Sequence, residues 1–457
     1  MKISKIITRT LTTLLATAMV VGCMASCKPN NKKKANNLEG VTVTIASPFE
    51  KKLEPGISLA NDRYIERLAK TQEELGVKVE HKLVEAGTYW DGMVVNCMSG
   101  EPYGDLMFGF TWYICDWLKG NALRDVAPLA KELNIDFNDG TWNKACLEDM
   151  TYGDKIYGFD RAPRTLQYGL LYNTRMFKEA ELKDPNVLIA EGGKWDLNTF
   201  ADYASKLTKK SASGRVTQYG FASTNIPLSM GGMVMANGGK MIDYTQTPPK
   251  LGLQEEKALE AINLFERMVN TDKSINTRWG WDEAYQGLVA GTVGMVQCEE
   301  WCVEFMRDYI EDKGLTPEYA LTQFPNSAGV DFIDPSSAAS NITFIPTGAK
   351  DEQAKAALQV YASLYLPDET KTVEETAKAR GEELFIDEAS VAVYTDIISK
   401  NRIKSMMLAK IGLQEIYSGM VIAVTEGQDT PKAILDAKYP QMEAIIQDSA
   451  YMAALSK

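Results

Sequence analysis

Apolar and polar positions alternate with a period of two where the first patterned segment begins: Thr42 and Thr44 separate Val41, Val43 and Ile45, the pattern of a half-buried strand. From Asn61 to Leu75 the period lengthens. Ile65, Leu68, Ala69 and Leu75 fall on one helical stripe, and Gly76 follows at the position where helices turn left-handed and stop. Val77, Val79 and Leu83 return to alternation, with His81 on the same face. Strand, helix and strand in that order predict a parallel βαβ unit and an α/β fold. Tyr89 to Ser99 reads as a second helix, stopped by Gly100-Glu101-Pro102, and Asp105 to Phe110 as a third short strand. Thr111-Trp112-Tyr113 stand just past that strand's C-terminal end. Open α/β sheets bind ligands in crevices at such ends, so Thr111 and Trp112 are the first candidate site residues.

Further along, Tyr152 to Gly158 has the punctuation of a hairpin, and Pro163 keeps Asp160-Arg161-Ala162-Pro163-Arg164 out of regular helix. A strand is expected over Gln167 to Tyr172. Trp195 to Leu207 predicts an amphipathic helix with Leu197, Phe200 and Tyr203 near one face, and Leu253 to Asn270 another long helix. Gly287 to Gln297 reads as a strand that ends on Cys298-Glu299-Glu300-Trp301. No internal repeat at a fixed period interrupts this alternation of strands and helices.

The N-terminal segment changes the picture from fold to compartment. Lys2, Lys5 and Arg9 precede an apolar run of 13 residues, Thr10 to Gly22, too short for a bilayer span of about 20 residues but suited to a secretion signal. Val20-Val21-Gly22-Cys23 resembles the lipobox of bacterial lipoproteins, in which the Cys is acylated and becomes the mature N-terminus. Cys23 is therefore the expected lipidation site, with Cys27 as the alternative. Residues 1–22 read as signal peptide and 23–39 as a lipidated tether, whose Lys28 to Asn37 stretch lacks apolar periodicity. Cleavage before Cys23 removes three positive side chains and takes the charge from −12 to −15. The other five cysteines are odd in number and form no CxxC pair, so they read as buried, unpaired hydrophobes.

Composition then removes whole classes of activity. Among 457 residues there is one His, His81, which leaves most Ser-His-Asp, Cys-His and His-rich metal templates without their central residue. A net charge of −12 disfavours nucleic acid, which requires a basic face. Neither Gly239-Lys240 nor Gly193-Lys194 completes a phosphate loop, and Asp136 to Gly140 lacks EF-hand spacing. No cofactor and no metal are expected. The length favours more than one core, since single cores stop growing at about 250–300 residues.

The succession Tyr152-Gly-Asp-Lys-Ile-Tyr-Gly158, Leu171-Tyr-Asn-Thr-Arg-Met-Phe177, Trp195 to Thr208, Tyr219-Gly220-Phe221, Asn237-Gly238-Gly239, Gly291-Thr-Val-Gly-Met295 and Glu300-Trp301 resembles extracellular solute-binding proteins of ABC importers, in their maltose-binding-like, sugar-binding branch. Ile345 to Lys350 and Glu426 to Pro431 extend the resemblance over nearly all of residues 40 to 450. The resemblance implies the periplasmic-binding-protein fold, with two interleaved α/β lobes joined by a hinge. Lobe 1 would combine 40–162 with 325–368, and lobe 2 would combine 163–324 with 369–457. It further implies a lipid-anchored, monomeric receptor on the outer face of the cell membrane. Such a receptor is not an enzyme: it captures a carbohydrate and delivers it to a permease, with ATPase subunits engaged only indirectly.

A sugar presents a C–H face and a hydroxylated edge, so its site requires aromatic rings for the one and polar side chains for the other. Trp301 matches the family's stacking aromatic; Trp112, Trp279 and Trp281 are further candidates, with Trp90 and Trp142, while Trp117 and Trp195 read as core. For the edge the candidates are Arg161, Arg164, Glu300, Thr111, Asn237 and Tyr417. Two alternatives stay open: a non-sugar solute held by an ionic clamp, and a glycan-active enzyme with paired carboxylates. Glu299 and Glu300 cannot be that pair, because neighbours in an extended segment point to opposite faces.

Overall fold

The computed structural model describes residues 38–447, apart from 58, 162–163, 224, 244–245, 247–248, 279, 328–329, 331–333, 337–340, 367–369, 401–402 and 406–412. The signal segment, Cys23, Cys27 and most of the tether lie outside the described residues. In chain order the main strands are β1 (Thr42–Ser47), β2 (Lys78–Leu83), β3 (Leu106–Phe110), β4 (Gly169–Asn173), β5 (Val216–Ala222), β6 (Ile275–Asn276), β7 (Val293–Cys298), β8 (Tyr319–Gln323) and β9 (Asn341–Phe344). They build two sheets, one in the order β9-β3-β1-β2 and one in the order β6-β5-β7-β4-β8. The helices that matter for the site are α1 (Leu59–Leu75), α2 (Ala86–Ser99), α3 (Leu197–Leu207), α4 (Trp281–Ala290), α5 (Glu300–Lys313), α6 (Asp351–Leu364), α7 (Val373–Leu384) and α8 (Glu388–Ser399).

The first sheet realises the expected βαβ unit. β1 pairs in parallel with β2 without interruption from Thr42↔Lys78 to Ser47↔Leu83, and with β3 at Ile45↔Leu106 and Ala46↔Met107. Val43 and Val79 are buried in one apolar cluster with Tyr64 and Leu68 of α1 and Ala357 and Tyr361 of α6. Ala46 and Met107, on the opposite face, belong to a cluster with Tyr89, Met93 and Cys97 of α2, and with Trp117 and Phe344. Leu83 departs from the expected inward pattern at 58% exposure, because it is the last residue of the edge strand.

β9 lies antiparallel on β3 although the whole second sheet intervenes in sequence, so the chain leaves the first sheet and returns to it. In the second sheet β5 is parallel to β6 and β7, while β4 runs antiparallel between β7 and β8. All five residues of β4 are buried, as befits a central strand covered on both faces. Gly220 of β5 shows how closely α3 approaches: a Cβ there would lie 1.8 Å from the carbonyl oxygen of Ala204. Trp195 precedes α3 rather than starting it; Asp196 is the N-cap, accepting from Thr199 N, and the indole of Trp195 donates to Gln323 O at 3.0 Å.

Two sequence expectations need correction. Gly287 to Ala290 is the last turn of α4, not strand; Gly291 ends the helix at φ 73° and β7 starts at Val293. The apolar run continues through both elements, so periodicity alone did not separate them, whereas the left-handed cap does. The helix expected over Leu253 to Asn270 begins at Glu256 and widens into π geometry over Arg267–Thr271. The five cysteines within the described residues are buried and form no disulfide with one another, as expected.

Candidate functional site

Parallel strands bring their C-terminal ends to one edge of a sheet, and this topology collects the candidate residues. In the second sheet β6 and β7 flank β5, so the segment after β6, which leads into α4, and the segment after β7 (Glu299 to Trp301) leave from the same edge. In the first sheet Phe110 ends β3, and Thr111–Tyr113 form a short 3-10 turn directly beyond it.

Trp301 lies in the first turn of α5 and keeps 46% of its surface exposed. Its Nε1–H donates to Glu299 Oε2 at 3.1 Å, which fixes the ring beside that carboxylate. Glu299 is the N-cap residue of α5, half-buried, with extended backbone and no capping hydrogen bond from its side chain. Burial pushes its carboxyl up to about 7, against the opposing pull of the Trp301 hydrogen bond. Glu300, its neighbour, is buried instead. It accepts from Arg380 Nε at 2.8 Å, from Leu166 N at 3.3 Å and from Tyr394 Oη.

Several edge candidates are spent on the protein itself. Arg161 donates from Nε to Thr141 Oγ1 at 2.8 Å, from NH1 to Ala362 O at 2.8 Å and from NH2 to Asp139 Oδ2 at 3.2 Å, over the Trp142 ring. It thus ties the segment just after Phe159, whose backbone bridges to Thr343 of β9, to the C-terminal end of α6. Asn237 donates to Lys257 O at 2.8 Å and Glu260 Oε2 at 3.0 Å, and accepts from Ser327 Oγ at 2.5 Å. Tyr417 is buried in the core and donates to Pro227 O at 3.0 Å. Thr111 is fully buried. Arg164 is half-buried, and burial lowers the pKa of its guanidinium. Trp279 and the side chains of Trp112 and Trp281 lie outside the described residues. Trp117, Trp195 and also Trp142 are core.

Residue types in the sequence did not single out two features of this geometry. One is Glu299 rather than Glu300 as the accessible acid. The other is an aromatic group at the C-terminal edge of the first sheet. Phe49, 55% exposed, meets Phe108 edge-on at 5.3 Å, and Trp90 stacks on Phe110 at 5.4 Å and on Tyr113 at 5.1 Å. Phe49 follows β1 by two residues, so the rule that selected Thr111 also pointed to it. A separate concavity of 590 Å³ opens beside Asp105, Lys350 and Gln353, where β3 and α6 begin, at the opposite end of the first sheet. Of the two rings that line it, His81 is hydrogen-bonded to Tyr64, and Tyr103 stacks on Tyr89 and donates to Thr88 O.

Among the described residues no helix is long and apolar enough to cross a membrane. The sequence model described as bacterial extracellular solute-binding protein matches residues 66–381. No curated protein matches the sequence. Among solved structures, an ABC transporter solute-binding protein from Thermotoga lettingae, bound with α-D-tagatose, is 16% identical at a TM-score of 0.60, over 89% of this chain and 100% of that one. The cyclic α-maltosyl-1,6-maltose binding protein from Arthrobacter globiformis is 13% identical at a TM-score of 0.65, over 89% and 99%. A Mycobacterium tuberculosis protein in complex with glycerophosphocholine is 12% identical at 0.62, also over 89% and 99%. At these identities the likeness is one of fold, the two-lobe α/β architecture of periplasmic binding proteins.

Proposed function

The chain belongs to the bacterial extracellular solute-binding protein family, and from that premise we propose that it captures a carbohydrate, an oligosaccharide, between its lobes and delivers it to the permease of an ABC importer. The observation that carries this reading is the exposed indole of Trp301 held against the Glu299 carboxylate at the C-terminal edge of the second sheet. A ring face beside a hydrogen-bond acceptor suits a sugar's C–H face and hydroxyl edge. The Phe49, Trp90 and Phe110 group at the corresponding edge of the first sheet supports it, as do the tagatose-bound solute-binding protein and the cyclic α-maltosyl-1,6-maltose binding protein of the same fold. In this reading lobe 1 comprises 40–162 with 325–368 and lobe 2 the remainder from 163. Arg161, Asn237, Glu300 and Tyr417 hold the framework and Trp301, Glu299 and Arg164 serve the solute, with Trp112, Trp279 and Trp281 kept as the sequence's further candidates. The protein acts as a monomer without catalysis, anchored at Cys23, or alternatively Cys27, through acyl chains.

Thermal-shift screening of the intact chain against malto-, cello- and other neutral oligosaccharides tests the reading, because a ligand of the native state raises its stability by mass action. At least one sugar should give a saturable shift. Trp301→Ala should then weaken it by about fivefold, in line with about 1 kcal/mol for an aromatic contact, with the unliganded melting temperature little changed. Hydrolysis of the sugar at a catalytic rate would sink the binding-protein reading. A second reading, a non-sugar solute, is favoured by the glycerophosphocholine-bound relative, and a shift with that compound alone would select it.

A further inference from the structure

Glu299 and Glu300 are covalent neighbours with opposite environments. Glu300 has its oxygens occupied by Arg380, Tyr394 and the backbone of Leu166. The Glu299 carboxylate receives one hydrogen bond among the described residues, from Trp301 Nε1, while its carbonyl accepts from Cys302 N. The other groups whose charge it feels or affects are Tyr285 of α4 and Cys302 of α5. Neither supplies it with a positive charge, and Tyr285 Oη already donates to Gln297 O at 3.3 Å. The nearest basic partner of the α5 acids, Arg380, is shared between Glu300, Glu304 and Glu383. A carboxylate partly shielded from water and holding one protein donor is short of hydrogen bonds to its charged form. Its place matters as much as its state: it stands at the end of β7, next to the most exposed Trp of the described residues.

We infer that Glu299 is the specificity-determining acid of the solute site and that it restricts the solute to neutral, hydroxyl-rich carbohydrates, excluding uronates and sugar phosphates. This rests on the carbohydrate reading above and deepens it. Hydroxyl donors from a neutral sugar replace the hydration that Glu299 has lost, and a hydrogen bond to a charged acceptor is a strong one. An anionic sugar brings a second negative charge into a partly desolvated space, where screening is weak. The near-neutral titration of Glu299 supports this: burial raises it to about 7, which leaves the group ready to be stabilised in its ionised form by incoming donors. Protonating it, or replacing it by the isosteric amide, should relax the exclusion.

The experiment has a ligand-free arm and a binding arm, both on the intact chain. Intrinsic tryptophan fluorescence is followed from pH 5 to 9, since the Trp301 indole donates to the titrating carboxylate. A transition near pH 7 is expected in the wild type, and it should be absent from Glu299→Gln and from Trp301→Phe. Equilibrium binding at pH 8 then compares maltotetraose and cellotetraose with tetragalacturonate. The better neutral tetramer should bind at least tenfold more tightly than the uronate. In Glu299→Gln the neutral affinity should fall about tenfold and the gap between neutral and uronate should close. Wild type at pH 5.5, where galacturonate stays ionised, should show the same narrowing. A merely structural role would lower both affinities together and leave their ratio unchanged. Uronate binding as tight as neutral binding in the wild type, or an unaltered ratio in the variant, overturns the inference. Absence of the fluorescence transition overturns the shielded acid on which it is built. If no saccharide of either charge binds, it is the carbohydrate reading that fails, and this inference with it.

Discussion

His81 is the one imidazole in the chain, and its Nε2 lies 2.6 Å from Tyr64 Oη on the buried side of β2. Burial, and then the positive charge of Lys51, lower its pKa below the ordinary 6.5. A group depressed in the folded state contributes stability that is present above its unfolded pKa and is lost as pH falls through its folded value. His81 therefore belongs to the acid limb of the stability curve. The single imidazole resonance should titrate with a midpoint below 6.5, and Lys51→Met should raise that midpoint; a midpoint at or above 6.5 would contradict the buried placement. Other residues were legible in the sequence to different degrees. Trp301 could be read from its place after an apolar strand. Arg161 and Tyr417 could not: their residue types announce that they need hydrogen-bond partners, but not whether those partners come from the protein or from a solute.

Between elements, the decisive contact is the clamp on α5. Arg380 of α7 bonds Glu300 and Glu304 of α5 and Glu383 of its own helix, while Tyr394 of α8 donates to Glu300. The first turn of α5 carries Trp301, so the clamp also fixes the ring's position. Arg380 is mostly buried, with 18% of its side chain exposed, and its removal leaves Glu300 without its counter-charge. Arg380→Ala should therefore destabilise the chain by about 3 kcal/mol, the lower part of the range for breaking a buried pair, as measured by denaturant unfolding. It should also weaken solute binding, although Arg380 is not placed against the solute. Strands β1, β2 and β3 and helices α1, α2 and α3 followed from hydrophobic period to within a few residues. The border of α4 and β7 did not, because its apolar run fits either element until Gly291 adopts its left-handed turn.

For the molecule as a whole, a solute that touches both sheets' C-terminal edges favours the arrangement in which both touch it. A saturating sugar at a hundredfold excess over its Kd should add about 2.7 kcal/mol to the unfolding free energy. It should also reduce the radius of gyration in solution scattering; stabilisation without compaction would mean that one lobe alone holds it. The sequence by itself determined the alternation of strands and helices, the α/β class and the family, because steric preference and hydrophobic period are written along the chain within a few residues of each position. Only the tertiary structure decided which polar side chains remain available. Arg161 meets Ala362 across 201 positions, Tyr417 meets Pro227 across 190 and Glu300 meets Arg380 across 80. A polar atom is spent or left open according to what folding brings beside it from such distances. For that reason Glu300, not Glu299, stood out in the sequence, while the fold buries the first and leaves the second beside an exposed ring.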